Sequence, residues 1–384
     1  MKICIISNDF PSPGIPRYVF VEQLVNHLLV LGIEVVIIAP QSITHCLVHH
    51  KSFRPIKKQV TSPYEDSYLV YRPFVISIGN YYGYGKGIFN YFLECAIQRV
   101  ITKIKPDVVY CHFWEKACSI YKYTLRNKLP LFVACGEGDN AIENMVSTLS
   151  PKEIQNLASA VTGVISVSTE NKRKCLDYKL CKEENIIVLR NCVDTNIFKE
   201  YESLSKREEL GIEDRDFVIA FCGDFTERKG AKRVSDAITK LNDSSIKSIF
   251  IGKPSSWENL TPSCNGIVHI GAIEHDKIPQ YLNCADVFVL PTLKEGCCNA
   301  IVEALACGLP VVSSNGAFND DILDETNSIR VDPNNIDEIA DAILSVRNSK
   351  NLKKQIHERL STDNPYSLRN RASKIVRFIN DLLE

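Results

Sequence analysis

The feature that most constrains this chain is a recurring unit: a short, continuously apolar run, then a loop, then residues with helical spacing of apolar side chains. The opening shows it whole. "KICIIS" (2–7) is a buried-strand run, and "NDFPSPGIPRY" is a proline- and glycine-rich loop. "VFVEQLVNHLLVLG" has helical spacing and stops at Gly32, and "EVVIIAP" is the next apolar run. Continuous apolar strands alternating with helices predict a parallel sheet covered on both faces. The unit recurs at "DVVYCHF", "LFVACGEGD", "GVISVS" and "IIVLRNCVD". A second series runs through "FVIAFCGDF", "KSIFIGKP", "GIVHIG", "DVFVLPT" and "LPVVSS". Between the series, "NCVDTNIFKEYESLSKREEL" is more polar and reads as a link, placing a boundary near residues 190–210. The expected fold class is α/β, with two doubly wound domains. A length of 384 residues, too great for one ordinary core, agrees. In such sheets ligands bind at the carboxyl ends of the strands, so the chemistry is to be sought in the loops that follow them.

Composition removes several function classes. A formal net charge of −1 argues against a general nucleic-acid binder. The 15 cysteines show no C-x-x-C pair and no zinc spacing, and most sit in apolar contexts where cysteine acts as a small buried hydrophobe. A reducing cytoplasm is expected, without disulfides. "MKICIISNDF" has too short an apolar run for a signal peptide. The longest apolar stretch is broken by Glu22, Asn26, His27, Gly32 and Glu34, so no membrane span is expected.

Residues 66–92 interrupt the first series with tyrosines and glycines. Their "GYGKG" meets neither the Walker spacing nor G-x-G-x-x-G, leaving a plain long loop or an acceptor-side lid as readings. "DRD" (214–216) is a D-x-D, but it precedes "FVIAFCG" at the amino end of a strand, where a turn is the better reading than a metal site. "NPYSLRNRASKIVRFINDLLE" is an amphipathic helix with Ile375, Phe378, Ile379 and Leu382 on one side.

The stretch "EGCCNAIVEALACG" (295–308) carries two glutamates eight positions apart. Glu303 is the only charge in a helix predicted from Cys298 or Asn299 to the Gly308 stop. A helix apolar all round is buried, and a lone buried carboxylate is costly unless hydrogen-bonded. It is therefore either held by a structural salt bridge or turned toward ligand hydroxyls in a cleft. The helix follows the strand "DVFVLPT", so its amino end and Glu295 lie on the strand's carboxyl side, where free N–H groups and the helix dipole attract phosphate. Another carboxyl-end loop, "GDFTERKG", supplies Arg228 and Lys229, which either neutralise the same phosphates or form a solvated charge run.

With these residues in place the chain resembles the retaining nucleotide-sugar glycosyltransferases of family 4 (glycosyl transferases group 1), which have the GT-B fold. The resemblance rests on "FCGDFTERKG", on "IVHIGAIEHDKIPQYLNCADVFVLPTLKEGCCNAIVEALACGLPVVSS", which matches the family's E-x7-E region, and on "VLRNCVDTNIF". It implies two Rossmann-like domains facing across a cleft: an acceptor-side domain over 1–190 and a nucleotide-sugar donor domain over 191–365. A helix over 366–384 would return to the first domain. Carried over, Glu303 would hold the donor's ribose hydroxyls and Glu295 would face the transferred sugar. Backbone near Cys298, Asn299 and Ala300 would meet the diphosphate, with Lys229 as side-chain cation. Gly223 would open the phosphate loop. Backbone at Gly271 and Ile273 would frame the base. Gly14 would bring backbone close to the donor phosphates, and His112 falls where relatives place a histidine near the donor sugar. A lone histidine after a strand also reads as a satisfied polar residue.

Three positions depart from the pattern. The usual G-R-L reads Gly223-Asp224-Phe225, leaving Arg228 to substitute for the missing arginine or to point to solvent. Gly14 stands alone where relatives have Gly-Gly, and Cys192 replaces a common glycine. The resemblance implies transfer of a sugar, from a UDP-sugar foremost, to a hydroxyl on a glycan or lipid-linked acceptor of surface polysaccharide synthesis. Configuration would be retained, no metal would be required, and no nucleic acid would be bound. The enzyme would be cytoplasmic, with "KSFRPIKK" (51–58) and "YKYTLRNK" (121–128) as candidates for transient contact with an anionic membrane or as scattered surface charge. A sugar-nucleotide epimerase or phosphorylase on the same fold, or an inactive binding subunit, is the competing reading. A nicotinamide dehydrogenase lacks its glycine fingerprint.

Overall fold

The computed structural model describes residues 1–13, 15, 17–76, 86–137, 140–255, 257–349, 351–362 and 364–384 (of 86–90 the backbone only). Gly14, and residues 77–85 of the tyrosine-rich stretch with most of "GYGKG", lie outside the described residues. Contacts divide the chain into two units, Met1–Leu189 with Arg369–Glu384, and Arg190–Leu368.

In the first unit the strands are β1 (Lys2–Ser7), β2 (Glu34–Ile38), β3 (Gln41–Ser42), β4 (Lys57–Thr61), β5 (Ser67–Tyr71), β6 (Phe74–Val75), β7 (Val108–His112), β8 (Leu131–Cys135), β9 (Val161–Ser166) and β10 (Ile186–Val188). The main sheet has the order β10-β9-β8-β7-β1-β2-β5-β4, while β3 pairs with β6 alone. All main-sheet pairs are parallel except β4 with β5. Their residues are buried almost without alternation in β1, β7 and β8, which is why these strands read as continuous apolar runs. The stretch from residue 66 corrects the sequence reading. It is not one interruption, because "SYLVY" forms β5 inside the main sheet and "FV" forms β6. β5 is mostly buried, but its two tyrosines and its polar flanks, beside the exposed "KKQVT" edge, break the apolar continuity by which the others were found.

The helix Leu368–Leu383 belongs to this unit from Arg369 onward. Ile375 and Ile379 are buried, and the Phe378 ring lies 6.3 Å from that of Phe132. Gly163 permits the approach. A Cβ there would lie 2.7 Å from the Phe132 ring and 2.8 Å from Leu382 Cδ1.

The second unit holds β11 (Phe217–Cys222), β12 (Ile246–Ile251), β13 (Ile267–Gly271), β14 (Val287–Leu290), β15 (Val311–Ser314) and β16 (Ser328–Val331). They form one parallel sheet in the order β13-β12-β11-β14-β15-β16. Each sheet has one place where the strand order reverses, between β1 and β7 in the first unit and between β11 and β14 in the second. Ligands of open α/β sheets bind outside the carboxyl ends at such points. The "DRD" segment lies at the opposite, amino end of β11. It turns there, with Asp216 Oδ2 accepting from Glu213 N at 2.9 Å and Asp216 N donating to Glu213 O at 3.0 Å. Among the described residues no helix is long and apolar enough to cross a membrane.

Candidate functional site

The loops that leave β11 and β14 meet at the reversal point of the second sheet. Gly230 begins the helix after β11 with φ +81°, and a Cβ on it would lie 2.8 Å from Pro291 O in the β14 loop. Only a residue without a side chain lets the loops close this far in that conformation. They are then stitched together: Leu293 N donates to Arg228 O at 2.8 Å, and Thr292 Oγ1 to the same oxygen at 3.1 Å.

Three side chains converge on one carboxylate oxygen. Glu295 Oε1 accepts from Lys229 Nζ at 2.6 Å, Arg228 Nη1 at 2.8 Å and Thr292 Oγ1 at 3.0 Å. Arg228 therefore does not point away into solvent; it also donates to Lys294 O at 3.0 Å. Burial disfavours the Lys229 ammonium, but the Cys298 sulfur and the Glu295 carboxylate beside it outweigh this, and its pKa lies above the ordinary lysine value. The lysine stem runs along Gly223, within 3.4 Å of where a Cβ would stand. Gly223, Lys229, Arg228 and Glu295 thus form one group, and Cys298 joins it with its sulfur 4.0 Å from Lys229 Nζ.

Cys298 is the N-cap of the helix Asn299–Ala306. The first intrahelical bond is Val302 N to Cys298 O, so the N–H groups of Asn299 and Ala300 precede the helical ladder. Asn299 is tied by its side chain, whose Oδ1 accepts from Asn191 Nδ2 at 2.8 Å. Asn191 N also donates to Cys297 Sγ at 3.3 Å. Cys297 thus anchors the Asn191 backbone as well as occupying little space.

Glu303 points from the same helix and is buried. Its Oε1 lies 2.9 Å from His275 Nε2. Burial works against protonation of His275, yet the hydrogen bond to Glu303 prevails and raises its pKa. Sequence reasoning left Glu303 between a salt bridge and a ligand contact; the structure supplies the partner. His275 was passed over because a single histidine in a polar loop carries no pattern. The available signal was its place four residues beyond Gly271, the carboxyl end of β13. Gly271 N–H and C=O sit at that edge, with its oxygen accepting from Gly252 N at 2.9 Å, and Ile273 packs against the core.

His112 belongs to the first unit, as the last residue of β7. It is buried among Phe20, Tyr110 and Phe113, at ring distances of 6.0, 5.1 and 5.5 Å, and neither ring nitrogen has a partner among the described residues. Burial, with a smaller push from Arg371, lowers its pKa to about 3, so the imidazole is neutral. Glu137, after β8, was not anticipated. Trp114 N donates to its Oε1 at 2.7 Å, and burial pushes its pKa up to about 7.

Residues 202–361 match the family of glycosyl transferases group 1. Over 371 residues, 94% of this chain and 92% of the relative, the sequence is 24% identical to TuaC of Bacillus subtilis (strain 168), a candidate teichuronic acid biosynthesis glycosyltransferase. It is 26% identical to the UDP-Gal:alpha-D-GlcNAc-diphosphoundecaprenol alpha-1,3-galactosyltransferase of Escherichia coli, over 50% of this chain and 53% of that one. Sucrose-phosphate synthase from Thermosynechococcus elongatus shares the fold with a TM-score of 0.75 at 15% identity, covering 100% of this chain and 99% of that chain. Lys229, Glu295 and Glu303 all lie inside the segment that matches the glycosyl transferases group 1, and the chain is a glycosyltransferase with the GT-B fold.

Proposed function

We propose that the chain transfers a sugar, with retention of configuration, from a UDP-sugar to a hydroxyl of a glycan or lipid-linked saccharide in surface polysaccharide synthesis. The observation that carries this reading is the convergence of Lys229, Arg228 and Glu295 at the reversal point of the second sheet, beside the amino end of the helix Asn299–Ala306. Two cations and a helix amino end suit a diphosphate. The galactosyltransferase relative supports UDP and a lipid diphosphate-linked acceptor, and TuaC supports a polysaccharide pathway.

In the proposed step the bond from the anomeric carbon to the diphosphate oxygen breaks. The acceptor oxygen bonds to that carbon on the same face, and the acceptor proton goes to the departing phosphate. Lys229 and Arg228 stabilise the leaving charge. One such preorganised donor is worth roughly 10²–10³ in rate. Glu295 then turns to the sugar hydroxyls and Glu303 to the ribose, with no metal in the step. Backbone at Gly223, Gly271, Ile273, Cys298, Asn299 and Ala300 lines the donor.

We place the enzyme in the cytoplasm, touching the inner face of the membrane. Exposed Leu47, Val48 and Ile56 stand with Lys57 on the surface of the first unit, a composition suited to an anionic lipid surface. Thermal-shift titration with UDP, GDP, ADP and their sugars tests the donor site, since selective binding raises the melting temperature by mass action. UDP is expected to act most strongly. Stabilisation by no nucleoside diphosphate would sink the reading. Vesicle cosedimentation tests the membrane contact, which fails if anionic lipid binds no better than neutral.

A further inference from the structure

The first unit has a cavity of about 1110 Å³ at the reversal point of its own sheet, walled by the loops after β1, β2 and β7. Six cationic side chains line it, Arg17, Lys51, Arg54, Lys58, Arg72 and Lys116, against two carboxylates, Asp9 and Glu115. The chain as a whole carries a net charge of −1, so this excess is local. "KSFRPIKK", a candidate membrane-contact segment or scattered charge in the sequence, supplies three of the six.

Two of the carboxylates' partners are accounted for. Asp9 Oδ1 takes Arg54 Nη1 at 2.5 Å, and Glu115 Oε1 takes Lys116 Nζ at 2.9 Å. Arg72 has no such partner. It is 1% exposed, and one Nη donates to Pro11 O at 3.0 Å and, more weakly, to Phe10 O at 3.4 Å. Its Nε and other Nη have no hydrogen-bond partner among the described residues. A buried cation with no ion pair of its own is costly, yet this one is built in, with the Asp9 carboxylate offsetting only part of that cost. The Gln41 side chain holds both arginines by their backbones, donating to Arg54 O at 2.8 Å and Arg72 O at 3.1 Å and accepting from Arg54 N at 3.0 Å. Lys58 and Lys51 add charge at the wall. Planar guanidinium groups fixed in this way suit an oxyanion taken by paired hydrogen bonds.

We propose that this cavity binds a phosphate or diphosphate group carried by the acceptor. That the ligand is the acceptor rests on the transferase reading above; that it is a phosphoryl oxyanion rests on the cavity itself. The volume exceeds what one ion fills, and Phe53, Ile15, Val75 and Leu93 supply apolar wall for the sugar or lipid attached to it.

The test is calorimetric titration of the full chain with inorganic pyrophosphate while UDP is held at saturation, so that the Lys229 site is occupied. Binding is expected, weakened at least tenfold in Arg72→Gln and in Arg54→Gln, with the UDP response unchanged. Should Arg72→Gln fail to fold by circular dichroism, Arg54→Gln and the exposed-site change Lys58→Glu decide. Equal affinity in unsubstituted protein and these variants, or no binding to the unsubstituted protein, overturns the proposal. So does binding of glucuronate in place of pyrophosphate. Geranyl diphosphate and glucose 1-phosphate then separate the sources: tighter binding of either than of pyrophosphate supports the cavity and identifies a lipid or a sugar carrier. Both weaker would show an adventitious ion only and overturn it. A missing UDP response in unsubstituted protein strikes the donor reading alone, because dependence on Arg54 and Arg72 still tests the cavity.

Discussion

Lys229 and Glu295 come from loops after different strands, and their charged atoms stand 2.6 Å apart. In the proposed donor site the carboxylate thus occupies the cation that would meet the diphosphate. Lys229→Ala removes a charge-assisted contact of about 1.5–3 kcal/mol and is expected to weaken UDP roughly 10- to 100-fold. Glu295→Gln is expected to act in opposite directions: bare UDP binds at least as well, while the UDP-sugar binds worse and turns over more slowly. Titration of both ligands against both variants checks this. Equal losses for UDP and UDP-sugar in Glu295→Gln would refute the competition.

His275 and Glu303 give a pH signature. The folded pKa of His275 is raised by Glu303, so the pair stabilises the protein fully below the unfolded histidine value of about 6.5. That contribution is lost as pH rises through the higher folded value. Melting temperatures from pH 5 to 9 should therefore fall more steeply for the unsubstituted protein than for His275→Asn. Parallel curves would show that the pair contributes nothing to stability.

Glu137 acts with the same sign for a different reason. Its folded pKa, near 7, exceeds the ordinary glutamate value because burial disfavours the charged form. The folded chain holds this proton until neutrality, while the unfolded chain has released it by about pH 5. Stability is thus drawn down between those limits. Glu137→Gln, which cannot ionise, should gain on the unsubstituted protein as pH is raised from 5 to 8. A carbonyl infrared band that disappears near pH 4.5 instead of near 7 would contradict the assignment.

What the sequence made legible follows from how each feature is encoded. The buried parallel strands announce themselves as apolar runs, so Arg228, Lys229 and Glu295 could be placed in loops at the carboxyl ends of two strands from the sequence alone; the strand order that makes those strands neighbours could not. Their mutual bonding could not, because a contact 66 or 67 residues apart in the chain leaves no periodic trace. His275 and Glu137 are single titratable residues in polar loops, and only burial and neighbours distinguish them. β5 escaped because its tyrosines and polar flanks blur the apolar pattern. Arg72 escaped for the same reason, lying at the end of that strand.

The last prediction concerns the C-terminal helix. Ile379 is fully buried and Phe378 meets Phe132, both on the helix face that the sequence shows as apolar. Gly163 brings that face close enough for Leu382 to fill the space a side chain would take. Burying an isoleucine and then deleting it costs about 2–5 kcal/mol, depending on how far the site collapses. Ile379→Ala should therefore lower the urea midpoint of the first unit. A substitution at the exposed Arg377 of the same helix should change it little, since its Asp381 contact at 3.9 Å is a surface pair. Because the helix is contiguous with the first unit's core, the loss should appear in unfolding followed through that unit, and the UDP protection expected of the proposed donor site in the second unit should persist. An unchanged midpoint in Ile379→Ala would mean that the helix does not carry weight in the first unit's stability.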